Sequence, residues 1–255
     1  MRSPFVVLFI CSITLSNCQK FQDYLQRRDE ILRPDCQVEN IDSRDTIIDQ
    51  RVQLSYDADG YPALANIFYD TYYLQSPTEF TVSYIYDSLK RLVAESSDFV
   101  YIKRGVFYAY EGDSKLPVRD TVPGMIGDKL IEEFEYDALR RIIKVSSYTI
   151  GFPDETSPPS DKDIFKYFYD IRGNRQEDPS NPDYHGEIIY NNKPSLYSLH
   201  PVWQLVHKDF SKNSVDYGAT YNSKGLPLTI KREPVPYFQL FVGVARGVEI
   251  TYECD

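Results

Sequence analysis

Three histidines, His185, His200 and His207, are the side chains best suited to acid–base work or zinc ligation in this chain. They lack the His-x-x-x-His or His-Glu-x-x-His spacing that sets ligands on one helix face, so no zinc centre is expected. His200 and His207 stand seven residues apart around Trp203, and the plain reading is two surface histidines. Asp57-Ala58-Asp59-Gly60 opens like a calcium loop, but Phe68 occupies the place of the bidentate glutamate. Asp161 and Asp163 are a further pair within reach of a calcium ion. No Gly-x-Ser-x-Gly elbow, phosphate loop or Gly-x-Gly-x-x-Gly occurs, which leaves acyl transfer, NTP hydrolysis and dinucleotide chemistry without residues. Any chain with 38 acidic residues can assemble a carboxylate pair for glycoside hydrolysis without a sequence signature. The expectation is a non-catalytic protein without cofactor; a glycan-active hydrolase is the alternative.

The cysteines carry the remaining chemistry. Arg2 precedes an apolar run from Phe5 to Leu15, too short to span a membrane and the right length for a signal-peptide core. The run ends in Leu15-Ser16-Asn17-Cys18, which resembles the lipobox of bacterial lipoproteins, with Asn17 where Gly, Ala or Ser is usual. The resemblance implies that residues 1–17 are a signal peptide, that Cys18 is acylated, and that residues 18–36 are a lipidated tether. It places the protein in the bacterial cell envelope, and Gln19 after the cysteine points to the outer membrane. Loss of Arg2 with the signal leaves 27 basic against 38 acidic residues, a net charge of −11, so the lipid must supply the adhesion. Cys36 and Cys254 remain; an exported chain can join them across a very long loop, or they stay as two buried thiols.

These groups need a scaffold. With 22 Tyr and 14 Phe against one Trp and two Met, the composition favours β structure, and a net charge of −10 excludes nucleic acid as a partner. Alternation is clear in Val52, Leu54 and Tyr56, in Phe80, Val82, Tyr84 and Tyr86, in Leu130, Phe134 and Tyr136, and in Phe165, Tyr167 and Tyr169. One phrase recurs: Tyr56-Asp57-Ala58-Asp59-Gly60, Tyr86-Asp87-Ser88-Leu89-Lys90-Arg91-Leu92, Tyr136-Asp137-Ala138-Leu139-Arg140-Arg141-Ile142 and Tyr169-Asp170-Ile171-Arg172-Gly173. Tyr190-Asn191-Asn192-Lys193-Pro194 and Tyr221-Asn222-Ser223-Lys224-Gly225 carry Asn for Asp. Asp or Asn accepts backbone N–H bonds, and a Gly three residues later supplies positive φ, so each copy reads as a hairpin turn. Lys90 and Arg140 stand at the Gly position, which predicts two turns of different shape. Each tyrosine is expected to bury its ring and leave its hydroxyl in water.

Tyr-Asp-x-x-Gly-Arg-Leu is the signature of YD (RHS-type) repeats, and the six copies resemble that family. The intervals of 30, 50, 33, 21 and 31 residues between tyrosines exceed a regular repeat. The chain resembles small Bacteroidota-type lipoproteins built from such hairpins. The expected fold is all-β: one curved antiparallel sheet over residues 37–255, open or partly closed. Segments 111–127, 152–163 and 176–186 read as exposed loops, and Leu199 to Ser211 as a strand or a short helix. Adjacent rings such as Phe107-Tyr108 and Tyr167-Phe168 place one ring of each pair on the far face. The expected role is binding or scaffolding, with a glycan or an envelope protein as partner.

Overall fold

A computed structural model describes residues 36–44, 48–71, 77–98, 105–124, 127–151, 158–176, 178, 188–215, 218–230 and 247–254. The signal segment, Cys18 and His185 lie outside them. The chain is all-β as expected. Strands β1 (Cys36–Arg44), β2 (Ile48–Tyr56), β3 (Pro62–Thr71), β4 (Thr78–Tyr86), β5 (Leu92–Ser97), β6 (Val106–Tyr110), β7 (Pro117–Pro123), β8 (Lys129–Tyr136), β9 (Ile142–Ile150) and β10 (Asp163–Lys166) pair in sequence as an antiparallel meander. Two short pairs follow, β11 (Phe168–Tyr169) with β12 (Arg175–Gln176), and β13 (Tyr190–Pro194) with β14 (Asn213–Val215). Strands β15 (Thr220–Tyr221), β16 (Pro227–Ile230) and β17 (Val248–Cys254) then return beside β1, giving a 13-stranded sheet whose open edges are β10 and β15. Cys36, assigned to the tether from sequence, is the buried first residue of β1.

The tight turns share one construction. Asp57 Oδ1 accepts from the Asp59 and Tyr61 amides at 2.9 Å, and Asp87, Asp137, Asp170 and Asn222 hold the equivalent amides. The fourth residue is left-handed in every case, with φ of 81° at Gly60, 88° at Gly173 and 81° at Gly225. Lys90 and Arg140 do not reshape their turns: they adopt the same conformation, at φ 57° and 60°. Each carbonyl-to-amide closure, such as Lys90 N to Asp87 O at 3.0 Å, is satisfied only by that geometry. The ladder slips one residue beside Tyr56, Tyr86 and Tyr136, the bulge that accompanies such a turn.

Tyr190-Asn191 does not reverse the chain, because Pro194 stands at the Gly position; its φ is fixed negative and it has no N–H to close the turn. The strand runs on into Ser195, whose amide bonds Lys212 O. Segment 111–127 is not all loop either. Tyr110, 24 residues after Tyr86, ends β6 with a similar bulge, and Pro117–Pro123 is a strand with its prolines at the two ends.

The tyrosine hydroxyls do not end in water. Four donate to the carbonyl of the residue that follows the preceding turn: Tyr86 to Pro62 at 2.8 Å, Tyr110 to Leu92 at 2.7 Å, Tyr136 to Pro117 at 2.8 Å and Tyr169 to Ile142 at 3.0 Å. Tyr190 reaches Arg175 O at 2.6 Å, Asn191 Nδ2 reaches the Tyr221 hydroxyl at 2.5 Å, and Tyr252 reaches Pro227 O at 2.6 Å. Tyr56 to Val38 O at 2.9 Å joins β2 to β1. The backbone ladder is open, yet at the turn end these side chains carry the connection from β9 through the short pairs to β15 and back to β1.

One face of the sheet surrounds the segment 195–211. A 3-10 turn (Leu196–Leu199) leads to helix α1 (Pro201–Val206), with Pro201 in its first turn and His200 Nδ1 accepting from the Val202 amide at 3.2 Å. Tyr197, Leu199, Val202, Trp203 and Val206 share one buried core with residues of β1 to β6 and β17. Seven flat strands would span about 30 Å, far wider than one short helix, so the sheet must curl around this plug. Cys36 and Cys254, directly opposed in the β1–β17 ladder, are joined by a disulfide that links the two ends of the described chain.

Candidate binding cleft at the turn rim

Between the plug and the turns of four successive hairpins, β2–β3 to β8–β9, lies a cleft of about 520 Å³. The plug contributes His200 and Trp203, β1 contributes Gln37, and the turn after β2 contributes Asp59 and Tyr61. Lys90 and Arg91, Lys115, and Arg140 come from the next three turns in order, so each successive turn brings a cation to the same opening. This row of cations sits on a chain of net charge −10.

The turn chemistry fixes where these groups stand. The Arg91 guanidinium donates from Nε to Asp87 Oδ2 at 2.7 Å and from Nη1 to Gly112 O at 2.7 Å, and lies 4.5 Å from the Tyr110 ring centre. Arg141 repeats the arrangement with Asp137 and Tyr169. Lys90 Nζ lies 2.6 Å from Asp59 Oδ2 and 3.3 Å from Asp57 Oδ2, and Lys115 Nζ donates to Leu89 O. The Tyr61 amide, with the Asp59 amide and Lys90 assisting, holds the Asp57 carboxyl below the usual range. The Asp59 bond raises Lys90, so its charge is firmly present at neutral pH. Tyr61 packs edge-on to both Tyr86 and His200 at 5.3 Å, and Trp203 packs edge-on to Tyr84 at 5.4 Å, so aromatic contacts hold the cleft floor.

A second polar cluster lies apart from the cleft, inside the sheet. The Tyr108 hydroxyl donates to Glu95 Oε1 at 2.5 Å. Lys208, on the loop after α1, bonds Glu132 and lies 3.4 Å from Asp120 Oδ2. Burial pushes Glu95 up to about 7 against the lowering effect of the Tyr108 bond. Burial also drives Asp120 up, where Lys208 opposes and Glu132 assists. Burial works against the Lys208 ammonium, but Asp120 and Glu132 outweigh it and raise its pKa. The cluster fastens the plug to β7 and β8. Its carboxylates do not line the cleft, where Asp59 is the carboxylate among the described residues.

The residues singled out from sequence divide accordingly. Asp57, Asp87, Asp137, Asp170 and Asn222 are spent on turn amides, so the calcium-like opening at Asp57 is a turn. Of the turn glycines, Gly60 lines the cleft while Gly173 and Gly225 lie elsewhere on the rim. His200 and His207 are helix caps rather than surface groups; the His207 ring lies 4.5 Å from that of Tyr197. In the pair Phe107-Tyr108 the tyrosine is buried and the phenylalanine is exposed on the far face. Tyr110, Lys115 and the Glu95–Asp120–Lys208 cluster were not read from sequence. Glu111 hid the Tyr110 turn, although Gly112 beside it was a usable signal.

No protein-family model matches the sequence, and the curated proteins contain no match. Among solved structures, one described as a porin-like protein from Bacteroides uniformis ATCC 8492 superposes with a TM-score of 0.51 at 13% identity. The match covers 85% of this chain and 96% of that one. The likeness is one of fold.

Proposed function

We propose that this chain is a non-catalytic lipoprotein of the bacterial envelope, carried by an acylated Cys18 after removal of residues 1–17, whose turn-rim cleft binds a ligand. The observation that carries the reading is the cleft itself. It has the volume of a small-molecule or oligomer site, aromatic walls and a row of cations, whereas the raised-pKa carboxylates a hydrolase would need are buried elsewhere. The porin-like description of the structural neighbour is compatible with an envelope address, and the outer membrane is the proposed location.

Two measurements test it. Wild-type protein should sediment with membranes and take up labelled palmitate, and Cys18→Ala should do neither; continued labelling of that variant overturns the anchor. Trp203 is the only tryptophan and lines the cleft, so its emission reports occupancy. Envelope glycan and peptide fractions that leave the emission unchanged would overturn the binding role.

A further inference from the structure

We infer that the cleft takes an anionic oligosaccharide, a uronate- or sulfate-bearing glycan, laid across three successive turns and held by Lys90, Lys115 and Arg140. This rests on the binding role proposed above and specifies its ligand.

The first support is backbone conformation. The fourth turn position is left-handed in all five tight turns, and three of the five place Gly there. The two that do not, Lys90 and Arg140, are the two that deliver a cation to the cleft. A side chain in that region is disfavoured, and strain that persists where glycine is the easy choice marks a functional constraint.

The second is spacing. Consecutive turns on one rim are two strands apart, about 10 Å. That is close to the length of a disaccharide, so one cation per turn matches a polymer with an acidic sugar in each disaccharide. The donors are available: an ammonium has three N–H groups, of which Lys90 gives two to Asp57 and Asp59, and Lys115 gives one to Leu89 O. Gln37, Asp59 and His200 add side chains that exchange hydrogen bonds with sugar hydroxyls.

The third discriminates glycan from acidic peptide. An extended peptide gains affinity by pairing with a free strand edge. The cleft is walled by turns and by β1, which is already paired on both sides with β2 and β17. Hydroxyl-rich rings need no such edge.

The test uses the detergent-solubilised mature protein, with Trp203 emission and calorimetry as readouts. The probes are a hexagalacturonate, its methyl ester, a heparin hexasaccharide and hexaglutamate. At least one anionic hexasaccharide should bind. The ester should bind at least about tenfold more weakly than the free acid, and salt raised from about 50 to about 500 mM should weaken binding severalfold. The double variant Lys90→Gly with Arg140→Gly should lose at least about tenfold in affinity while melting no lower than wild type, because it restores the glycine used elsewhere. Lys115→Gln, outside the strained positions, should weaken binding independently. Equal binding of the ester or undiminished binding by the variants overturns the inference but leaves a neutral binding module standing. Preference for hexaglutamate overturns it in favour of a peptide site. If no probe binds and Trp203 also ignores envelope fractions, the binding role falls with it.

Discussion

The Tyr86 hydroxyl donates to the Pro62 carbonyl at 2.8 Å, tying the end of β4 to the first residue of β3 across the rim. Tyr136 does the same to Pro117. Burial raises both phenols far above their ordinary value, so they remain donors at every physiological pH. Tyr86→Phe and Tyr136→Phe keep the rings but strand the carbonyls. Each should lower stability by about 1–2 kcal/mol, read from urea midpoints at constant slope. The two sites share no hydrogen-bond partner, so the double variant should show close to the sum. Unchanged midpoints would mean that water replaces the hydroxyl.

Arg140 lies at φ 60° where Gly173 and Gly225 occupy the equivalent place. Arg140→Gly removes a disfavoured side-chain conformation and should raise stability by roughly 0.5–1 kcal/mol, the part of the left-handed penalty left after glycine's extra unfolded-state entropy. Gly173→Arg tests the converse and should destabilise, since φ at Gly173 is 88°, a left-handed conformation disfavoured for a side chain. Thermal melts of both variants check the pair.

What was legible in the sequence was local. Asp57 followed by Gly60 dictates a turn whatever surrounds it, and alternation in β2 and β4 dictates a strand with a buried face. The rim's side-chain connections were not legible, because Tyr136 meets Pro117 only after β7 and β8 have paired. Nor was the cleft: Lys90, Lys115 and Arg140 are unremarkable surface cations until three turns align. Asn191 offers the acceptor of a turn, but Pro194 forbids the closing geometry, so the acceptor alone does not make one. The segment after Leu199 stayed open between strand and helix because Trp203 and Leu205 fit either period; His200 as cap and Pro201 behind it decide for the helix.

Cys36 and Cys254 are 218 residues apart and face each other across β1 and β17. A cross-link closing so long a loop stabilises by about 5 kcal/mol in the chain-entropy view. Peptide mapping without reductant should recover one joined Cys36–Cys254 peptide. Cys254→Ser should lower the denaturation midpoint by a large fraction of the total stability and frees the β17 end first, which hydrogen exchange at Ile250 and Tyr252 would reveal. Two alkylatable thiols in protein purified from the envelope would remove the cross-link.

Glu95 supplies a pH signature. Burial raises its carboxyl to about 7 in the folded protein, whereas an unfolded glutamate titrates near 4.5. Below the lower value both states hold the proton. Between the two values the unfolded chain releases it and the folded chain does not, so the folded state binds more protons and rising pH favours unfolding. The contribution is fully present under acid conditions and is lost as pH rises through about 7, to the extent of roughly 3 kcal/mol. Asp120 acts in the same direction because burial raises it as well. Glu95→Gln keeps an acceptor for the Tyr108 hydroxyl and cannot ionise. Urea denaturation at a series of pH values should therefore show wild-type stability declining between about 4.5 and 7 and the variant declining less, the remaining decline being that of Asp120. A parallel decline in both proteins would locate the titration in other groups, with Asp120 the next to be replaced.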